Sequence, residues 1–124
     1  MTSKFLLIED NEQNRYLTTF LLTKQGHEVI SADSGPQGLE LAERIQPDLI
    51  LLDIQLPEMD GYEVAAALKS RPSVKDIPIV AVTSYAMVGD RERILAAGAV
   101  GYIEKPINPA TFVAEVEAHL RPRE

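Results

Sequence analysis

Five polar side chains of this 124-residue sequence lie within two residues of the ends of short apolar runs, and their types suit phosphoryl chemistry. They are Glu9, Asp10, Asp53, Thr83 and Lys105. Each has an ordinary explanation alone, because acidic residues after strands often cap helices, threonine favours strands and lysine usually lies at the surface. Their concentration after four of the five apolar runs favours a functional site with three carboxylates, one hydroxyl and one ammonium.

The elements that must position these residues alternate between short apolar runs and amphipathic stretches of helical length. The runs, interpreted as strands buried on both faces, span residues 5–8, 29–32, 49–52, 79–82 and 101–103. The helical stretches span residues 13–25, 34–45, 62–69, 90–97 and 109–120, with Ser34 and Asp90 as N-caps. Five strand–helix pairs predict an α/β fold with a doubly wound parallel sheet, which binds ligands at the carboxyl ends of its strands.

The first helical stretch carries an apolar stripe formed by Tyr16, Leu17, Phe20 and Leu21. A stripe with this spacing is typical of a helix that covers one face of a sheet, so we expect these four side chains to pack inward. The stretch ends at Gly26, a residue type that is common just beyond helix C termini.

Composition and charge exclude several classes of function. With 45% hydrophobic and 25% charged residues, the chain is typical of a soluble globular protein, and we expect one domain over residues 1–124. A net charge of −7 argues against generic nucleic-acid binding. The absence of cysteine excludes disulfides, thiolate zinc sites and thiol nucleophiles. No apolar run approaches the ~20 residues of a spanning helix or a signal peptide pattern, so we expect a cytoplasmic protein without a membrane partner.

The charges of the five polar residues indicate what they could do together. Carboxylates held close to one another need a cation, and oxygen ligands with room for water favour Mg²⁺. A metal there would neutralise Asp53 and an incoming phosphate together. Lys105 would pair with one phosphate oxygen, and the hydroxyl of Thr83 would donate to another. Asp53 is then the nucleophile, and its product is an acyl phosphate.

Five segments of the sequence carry a specific pattern. They are Leu7-Ile8-Glu9-Asp10-Asn11, Leu51-Leu52-Asp53-Ile54, Leu56-Pro57-Glu58-Met59-Asp60-Gly61, Val82-Thr83-Ser84 and Tyr102-Ile103-Glu104-Lys105-Pro106. As a set they resemble the receiver domains of two-component response regulators, from about residue 4 to about residue 120. The resemblance implies a flavodoxin-like (βα)5 fold with strand order 2-1-3-4-5. It also implies a signalling switch that catalyses its own Mg²⁺-dependent phosphorylation and slow dephosphorylation. Such a switch is not an enzyme in the usual sense.

The resemblance carries roles over to individual residues. Asp53 is similar to the phosphoacceptor, and Thr83 and Lys105 are similar to the residues that complete the catalytic set. The ligands implied for Mg²⁺, with Mn²⁺ as a substitute, are Asp10, Asp53, the main-chain carbonyl of Gln55 and, through water, Glu9. The phosphate-binding residues implied are Ile54, Gln55 and Ser84. The Lys105–Pro106 peptide bond is expected to be cis.

By the same resemblance, signalling depends on a face with two states. Thr83 and Tyr102 are similar to a switch pair that moves together on phosphorylation, and Tyr102 fits a half-buried strand tyrosine equally well. The face is formed by the fourth helix, fifth strand and fifth helix, about residues 90 to 120. The implied partners are a histidine kinase or histidine phosphotransfer protein and a downstream protein target. We expect no output domain and no nucleic-acid partner, and we expect a monomer that can dimerise on phosphorylation.

Some residues depart from the commonest receiver pattern. Glu9 stands where many receivers have aspartate, and Ser84 replaces a frequent alanine. Tyr85 borders the route of attacking water, and we hypothesise that it shields the acyl phosphate and slows its hydrolysis. His27 and His119 are expected at the surface and far apart, which argues against a histidine phosphotransfer protein.

Several alternative interpretations fit parts of the pattern. A haloacid-dehalogenase-type phosphatase also uses a strand-end aspartate, but it usually needs a second aspartate where this chain has Gln55. A flavodoxin-like binding module would need a phosphate-cradling loop after the first strand, where Glu9 and Asp10 would repel a phosphate. A receiver excised from a hybrid histidine kinase would look the same as a single-domain regulator. The intact set of five site residues argues against a scaffold receiver that is never phosphorylated.

Overall fold

The structure is a computed structural model that describes residues 3–56, 59–84 and 88–120, with the main chain alone at residues 88–90. Within these ranges five strands and five helices alternate: β1 (Lys4–Ile8), α1 (Glu12–Lys24), β2 (Glu28–Ala32), α2 (Gly35–Ile45), β3 (Leu49–Asp53), α3 (Gly61–Lys69), β4 (Ile79–Thr83), α4 (Val88–Ala96), β5 (Gly101–Glu104) and α5 (Phe112–Glu117). None of the helices found there is long and apolar enough to cross a lipid bilayer.

The five strands form one parallel sheet in the order β2-β1-β3-β4-β5. This order confirms the predicted doubly wound α/β fold. The central strands β3 and β4 are buried at every position, as their unbroken apolar runs predict. All strands run the same way, so their carboxyl ends lie along one edge of the sheet.

A hydrophobic core covers each face of the sheet. On one face the inward side chains of β1 and β3, such as Leu6 and Ile50, pack with α2, α3 and α4. On the other face Phe5 and Leu51 pack with α1 and α5. Successive strand residues point to opposite faces, so each central strand contributes to both cores. The sheet is therefore rigidly held, and the residues at its carboxyl edge project from a fixed frame.

The inward face of α1 differs from the predicted one. Thr18 and Leu22 are buried, whereas Tyr16 is 75% exposed and Phe20 is 49% exposed. The two aromatic rings stack on each other on the outer surface, with centroids 6.5 Å apart. The prediction was wrong for Tyr16 and Phe20, whereas Leu21 packs against the core as predicted and Leu17 is half-buried. The helix is rotated by a fraction of a turn from the predicted orientation, so the small Thr18 lies closest to the sheet.

Two helix boundaries also differ from the predicted ones. Helix α4 begins at Val88, so Asp90 lies inside its first turn and is not the N-cap. Helix α5 begins at Phe112, and Pro109 lies in the preceding turn. The carbonyl oxygen of Asn108 accepts hydrogen bonds from the main-chain N–H groups of Thr111 and Phe112, so this turn closes before the regular helix starts. Proline fits the turn because its fixed φ suits that position and the lost N–H is not needed there.

His27 is buried, at 6% exposure, although the sequence predicts a surface position. Its Nδ1 accepts a hydrogen bond from the main-chain N–H of Ser3 at 3.1 Å. Nε2 therefore carries the proton and donates it to Glu117 Oε2 at 2.8 Å. The ring also meets the edge of Phe5, with centroids 4.9 Å apart. His27 thus joins the start of β1 to the end of α5, while His119 is half-buried.

Candidate functional site

The five residues singled out in the sequence lie at the carboxyl edge of the sheet. Glu9 and Asp10 follow β1, Asp53 ends β3, Thr83 ends β4, and Lys105 follows β5. Thr83 is paired with Glu104 in the sheet, and its carbonyl oxygen accepts a hydrogen bond from the N–H of Lys105 at 2.8 Å. The strand order therefore brings together residues that are up to 96 positions apart in the sequence, from 9 to 105.

Glu9, Asp10 and Asp53 form an acidic cluster. Each contributes one carboxylate oxygen, and these three oxygens lie within 4.8 Å of one another. Glu9 and Asp53 are buried, whereas Asp10 is exposed, so the cluster is accessible to solvent on the side of Asp10. An all-oxygen set with access to water is the ligand environment that hard divalent cations prefer, and the residues fit Mg²⁺.

Lys105 bridges the two buried carboxylates. Its Nζ lies 3.1 Å from Glu9 Oε1 and 3.3 Å from Asp53 Oδ2, and its side chain is 14% exposed. Burial lowers the pKa of the Lys105 ammonium, but the hydrogen bonds and charges of Glu9 and Asp53 outweigh burial, and the net result is a raised pKa. Lys105 is therefore a cation at neutral pH. The Lys105–Pro106 peptide bond is cis, as predicted.

Glu9 has a strongly perturbed carboxyl group. Burial, together with the hydrogen bond and charge of Asp53, raises its pKa to about 7, although the hydrogen bond and charge of Lys105 oppose the shift. The buried site therefore carries more negative charge than a single lysine can neutralise, and Glu9 responds by holding a proton near neutrality. A divalent cation at this cluster would compete with that proton.

The main chain around Asp53 holds its carboxylate in place. Oδ1 accepts a hydrogen bond from the N–H of Gln55 at 2.9 Å, while Oδ2 faces Lys105. The N–H of Ile54 donates to the carbonyl of Val82 at 3.1 Å, so it continues the sheet instead of facing the cluster. This arrangement does not favour Ile54 as a phosphate ligand, and that role stays a prediction.

Gly61 lets α3 start directly against the end of β3. A Cβ added at this position would lie 2.4 Å from the Cα of Ile54 and 2.8 Å from the carbonyl oxygen of Asp53. Asp60 caps the helix through a capping box with Glu63. The close approach packs α3 against the residue that carries the candidate nucleophile.

The sequence model of the response regulator receiver domain matches residues 5–117. This match covers more than half of the chain, along with the site described above. The chain belongs to the response regulator receiver domain family.

Named relatives of this receiver agree with that assignment. It is 44% identical to the polar-differentiation response regulator DivK of Brucella ovis over 120 residues, which are 97% of this chain and 98% of the relative. The structure of the Vibrio cholerae chemotaxis protein CheY4 matches with a TM-score of 0.92 and 28% identity, over 97% of this chain and 100% of that chain. The receiver domain of the sensor histidine kinase PA1611 from Pseudomonas aeruginosa matches with a TM-score of 0.87 and 33% identity, over 96% and 98%. That structure is described as having a magnesium ion coordinated in its active-site cleft.

Tyr102, the predicted switch residue of the receiver, is half-buried in β5. Its hydroxyl accepts a hydrogen bond from Arg91 Nε at 2.8 Å, and the Arg91 guanidinium lies over the ring, 5.3 Å from its centroid. A second arginine of α4, Arg93, lies over the ring of Tyr62 in α3 at 3.8 Å. Two arginine–tyrosine contacts thus connect α4 to its neighbours on either side.

Some predicted features of the receiver lie outside the described residues. Tyr85, with its proposed shielding role, belongs to this group, as do Pro57 and Glu58 of the loop before α3. Ser84 is described and exposed. The main-chain carbonyl of Gln55, which the resemblance assigns to the metal, stays a prediction.

Sequence reasoning missed two residues that hold the loop after β1. Asn11 caps α1, because its Oδ1 accepts a hydrogen bond from the N–H of Asn14 at 2.9 Å. Arg15 Nη1 donates to the carbonyl oxygens of Glu9 at 3.0 Å and Asp10 at 3.1 Å. An asparagine just before a helix could have signalled the cap. No sequence pattern could have shown the contacts of Arg15, because they depend on the conformation of the loop.

Proposed function

We propose that this receiver is a phosphoacceptor switch of a two-component or phosphorelay pathway, in which Asp53 takes a phosphoryl group in the presence of Mg²⁺. The observation that carries the proposal is the acidic cluster of Glu9, Asp10 and Asp53 with Lys105 bridging its buried members. A buried aspartate that contacts a lysine and belongs to a cluster of carboxylates suited to a divalent cation can accept a phosphoryl group. The histidine kinase or histidine phosphotransfer protein that acts as donor is part of the proposal.

Asp10 and Asp53 would hold Mg²⁺ directly, Glu9 would hold it through water, and the carbonyl of Gln55 would complete the protein ligands. The ion supplies charge neutralisation for the Asp53 carboxylate and the donor phosphate when it is bound. The donor set supports this assignment, and so does the magnesium ion described in the related PA1611 receiver domain. Replacement of Mg²⁺ by Mn²⁺ stays a prediction without support from the site.

The reaction is a transfer between two nucleophiles. A carboxylate oxygen of Asp53 attacks the phosphorus of a phosphohistidine, the bond from phosphorus to the imidazole nitrogen breaks, and the released imidazole takes up a proton. Lys105 turns from the carboxylates toward a phosphoryl oxygen, and the hydroxyl of Thr83 and the N–H of Ser84 donate to others. The receiver is consumed and regenerated in each cycle, so it is not an enzyme in the usual sense.

The output of the switch is proposed to be the face formed by α4, β5 and α5. The phosphoryl group carries about −1.5 to −2 charges and replaces the single negative charge of the Asp53 carboxylate, and such a local change can bias a two-state element. Thr83 ends β4 and Tyr102 lies on the adjacent β5, so a movement of Thr83 toward the phosphate can change the environment of Tyr102. A downstream protein that binds one state of this face more tightly than the other responds to the phosphorylation.

A reduction experiment tests the site of phosphorylation. Borohydride reduces an acyl phosphate of aspartate to the alcohol, so phosphorylated protein treated in this way carries homoserine at the modified position. We expect the peptide that contains residue 53 to be the modified peptide, in the presence of Mg²⁺ and a phosphohistidine donor. Modification at another carboxylate, or none in a protein that binds Mg²⁺, would contradict the proposed role of Asp53.

A further inference from the structure

Arg15 makes an unusual contact with the candidate metal cluster through the main chain. It is half-buried on α1, and a single nitrogen, Nη1, donates to the carbonyl oxygens of two consecutive residues. Those residues are Glu9 and Asp10, the first two members of the acidic cluster. Arg15 touches neither carboxylate in the hydrogen bonds of the described residues, so it acts on the ligands through their backbone.

The loop that carries Glu9 and Asp10 is fixed from two sides. On the sheet side, the N–H of Glu9 donates to the carbonyl of Ala32 at 3.0 Å. On the helix side, the N–H of Arg15 donates to the carbonyl of Asn11 at 2.9 Å, and its guanidinium returns to the two loop carbonyls. The guanidinium is planar and rigid, so the two hydrogen bonds of Nη1 set the orientation of both peptide groups together.

The side chain that depends most on this arrangement is that of Asp10. Asp53 is held by Gln55 and Lys105, and Glu9 is held by Lys105 and the N–H of Asn11. In the described part of the chain, no hydrogen bond or ion pair fixes the exposed carboxylate of Asp10. Its position is set by its backbone, and Arg15 holds the carbonyl of that residue.

We propose that Arg15 is a positioning residue for the metal centre, which orients the Asp10 and Glu9 backbone and so strengthens Mg²⁺ binding. This inference rests on the proposed function, because it assumes that the acidic cluster binds Mg²⁺. The positive charge of Arg15 acts in the opposite direction, since a cation near the cluster repels Mg²⁺. The two effects of Arg15 can be separated by substitution.

The variant Arg15→Lys keeps the charge, but its side chain ends one atom short of Nη1 and lacks the planar fork. It therefore no longer orients the backbone of Glu9 and Asp10, but its charge still repels Mg²⁺. The variant Arg15→Met lacks both effects, so the removal of the repulsion partly offsets the affinity for Mg²⁺ that is lost with the orientation. Residues that orient metal ligands through their side chains typically contribute 10- to 100-fold to affinity, and a contact through the backbone should contribute less. We expect the Mg²⁺ dissociation constant to rise roughly three- to tenfold in Arg15→Lys and by less in Arg15→Met.

Isothermal titration calorimetry with Mg²⁺ on the full chain measures these constants directly. The matched control is Arg44→Lys, because Arg44 is an exposed arginine in the last turn of α2. We expect the control to bind Mg²⁺ like the wild type. In phosphorylation by acetyl phosphate, Arg15→Lys should raise the half-saturating Mg²⁺ concentration and leave the rate at saturating Mg²⁺ nearly unchanged. Thermal unfolding without Mg²⁺ shows whether each variant is folded.

An unchanged Mg²⁺ dissociation constant in Arg15→Lys, with or without a lower melting temperature, would mean that Arg15 is only a structural residue and would overturn the inference. Tighter binding in Arg15→Lys would overturn it as well. These outcomes leave the proposed function intact. If the wild-type protein itself has no measurable affinity for Mg²⁺, the proposed function and the inference are both overturned.

Discussion

The ammonium of Lys105 lies 3.3 Å from the carboxylate of Asp53, although β4 separates β3, which ends at Asp53, from β5, which Lys105 follows. The contact is possible because parallel strands end at one edge of the sheet and Lys105 follows the last residue of β5 directly. Glu9 lies on the other side of the ammonium, at 3.1 Å. The candidate nucleophile is thus already in contact with the cation that we expect to bind its phosphoryl group.

The first prediction concerns Lys105. The variant Lys105→Gln keeps most of the side-chain volume and removes the charge that stabilises the transferring phosphoryl group. We expect phosphorylation by acetyl phosphate at saturating Mg²⁺ to slow by roughly 100-fold. The rate is measured as the growth of the phosphorylated species by intact-mass spectrometry. Lys24→Gln, an exposed position on α1, is the control, and equal rates for the two variants would contradict this role of Lys105.

The second prediction concerns the pH dependence of Mg²⁺ binding. The pKa of Glu9 is raised to about 7 by burial and by Asp53, so below that pH the ion must displace a proton. We expect the Mg²⁺ dissociation constant to fall by up to about tenfold per pH unit as the pH rises toward 7 and to level off above it. Calorimetry in buffers of different ionisation enthalpy measures the released proton. A constant that does not vary between pH 5.5 and 8 would count against the cluster as the metal site.

The same raised pKa predicts how the metal-free protein responds to pH. Between about pH 4.5 and 7 the folded protein holds a proton on Glu9 that the unfolded chain has lost, so stability falls as the pH rises through this range. The isosteric variant Glu9→Gln cannot lose that proton. We expect it to be more stable than the wild type above pH 7 and closer to it at pH 4.5. Chemical unfolding of both proteins without Mg²⁺ measures the difference, and the opposite order at pH 8 would contradict the assignment.

The third prediction concerns His27. Because the buried ring fills a site in the core and bonds to Ser3 and Glu117, His27→Ala should lower the free energy of unfolding by about 2–4 kcal/mol. Glu117 is about half-exposed, so Glu117→Gln should cost no more than about 1 kcal/mol. Urea denaturation measures both values. Glu115→Gln on the same helix is the control, and an equally small loss for His27→Ala would show that the buried contacts contribute little.

The fourth prediction concerns the contact between Arg91 and Tyr102. If this contact holds Tyr102 in the resting state, Arg91→Ala should shift the tyrosine toward the environment that it has after phosphorylation. NMR of ¹³C-labelled tyrosine rings measures this shift, since the chain has only 4 tyrosines. The control is Arg93→Ala, which should move the signal of Tyr62 and leave that of Tyr102 in place. A Tyr102 signal that responds neither to phosphorylation nor to Arg91→Ala would exclude it as the switch residue.

Much of the fold could be predicted because it depends on local patterns. Unbroken apolar runs located all five strands to within a residue, and alternation with helices predicted the parallel sheet. The position of the site followed, because residues after parallel strands share one edge. Asp53 and Lys105 lie together because the strands before them end at that edge, and both residues could be identified from the sequence.

The features that could not be predicted depend on contacts between distant parts of the chain. The buried His27 ring packs against Phe5 and is hydrogen-bonded to Glu117, which is 90 positions away in the sequence. The inward face of α1 depends on how the helix is rotated on the sheet, and apolar spacing alone chose Tyr16 and Phe20 wrongly. The pKa of Glu9 depends on burial and on Asp53 and Lys105 together, which no residue type reveals.

Intact-mass spectrometry after incubation with acetyl phosphate tests the central claim most directly. The wild-type protein and Asp53→Asn are each incubated with and without Mg²⁺. We predict a single phosphoryl adduct on the wild type in the presence of Mg²⁺, and none without the ion or on Asp53→Asn. An adduct of equal yield on Asp53→Asn, or no adduct on the wild type at saturating donor and Mg²⁺, would contradict the proposal that Asp53 is the phosphoacceptor.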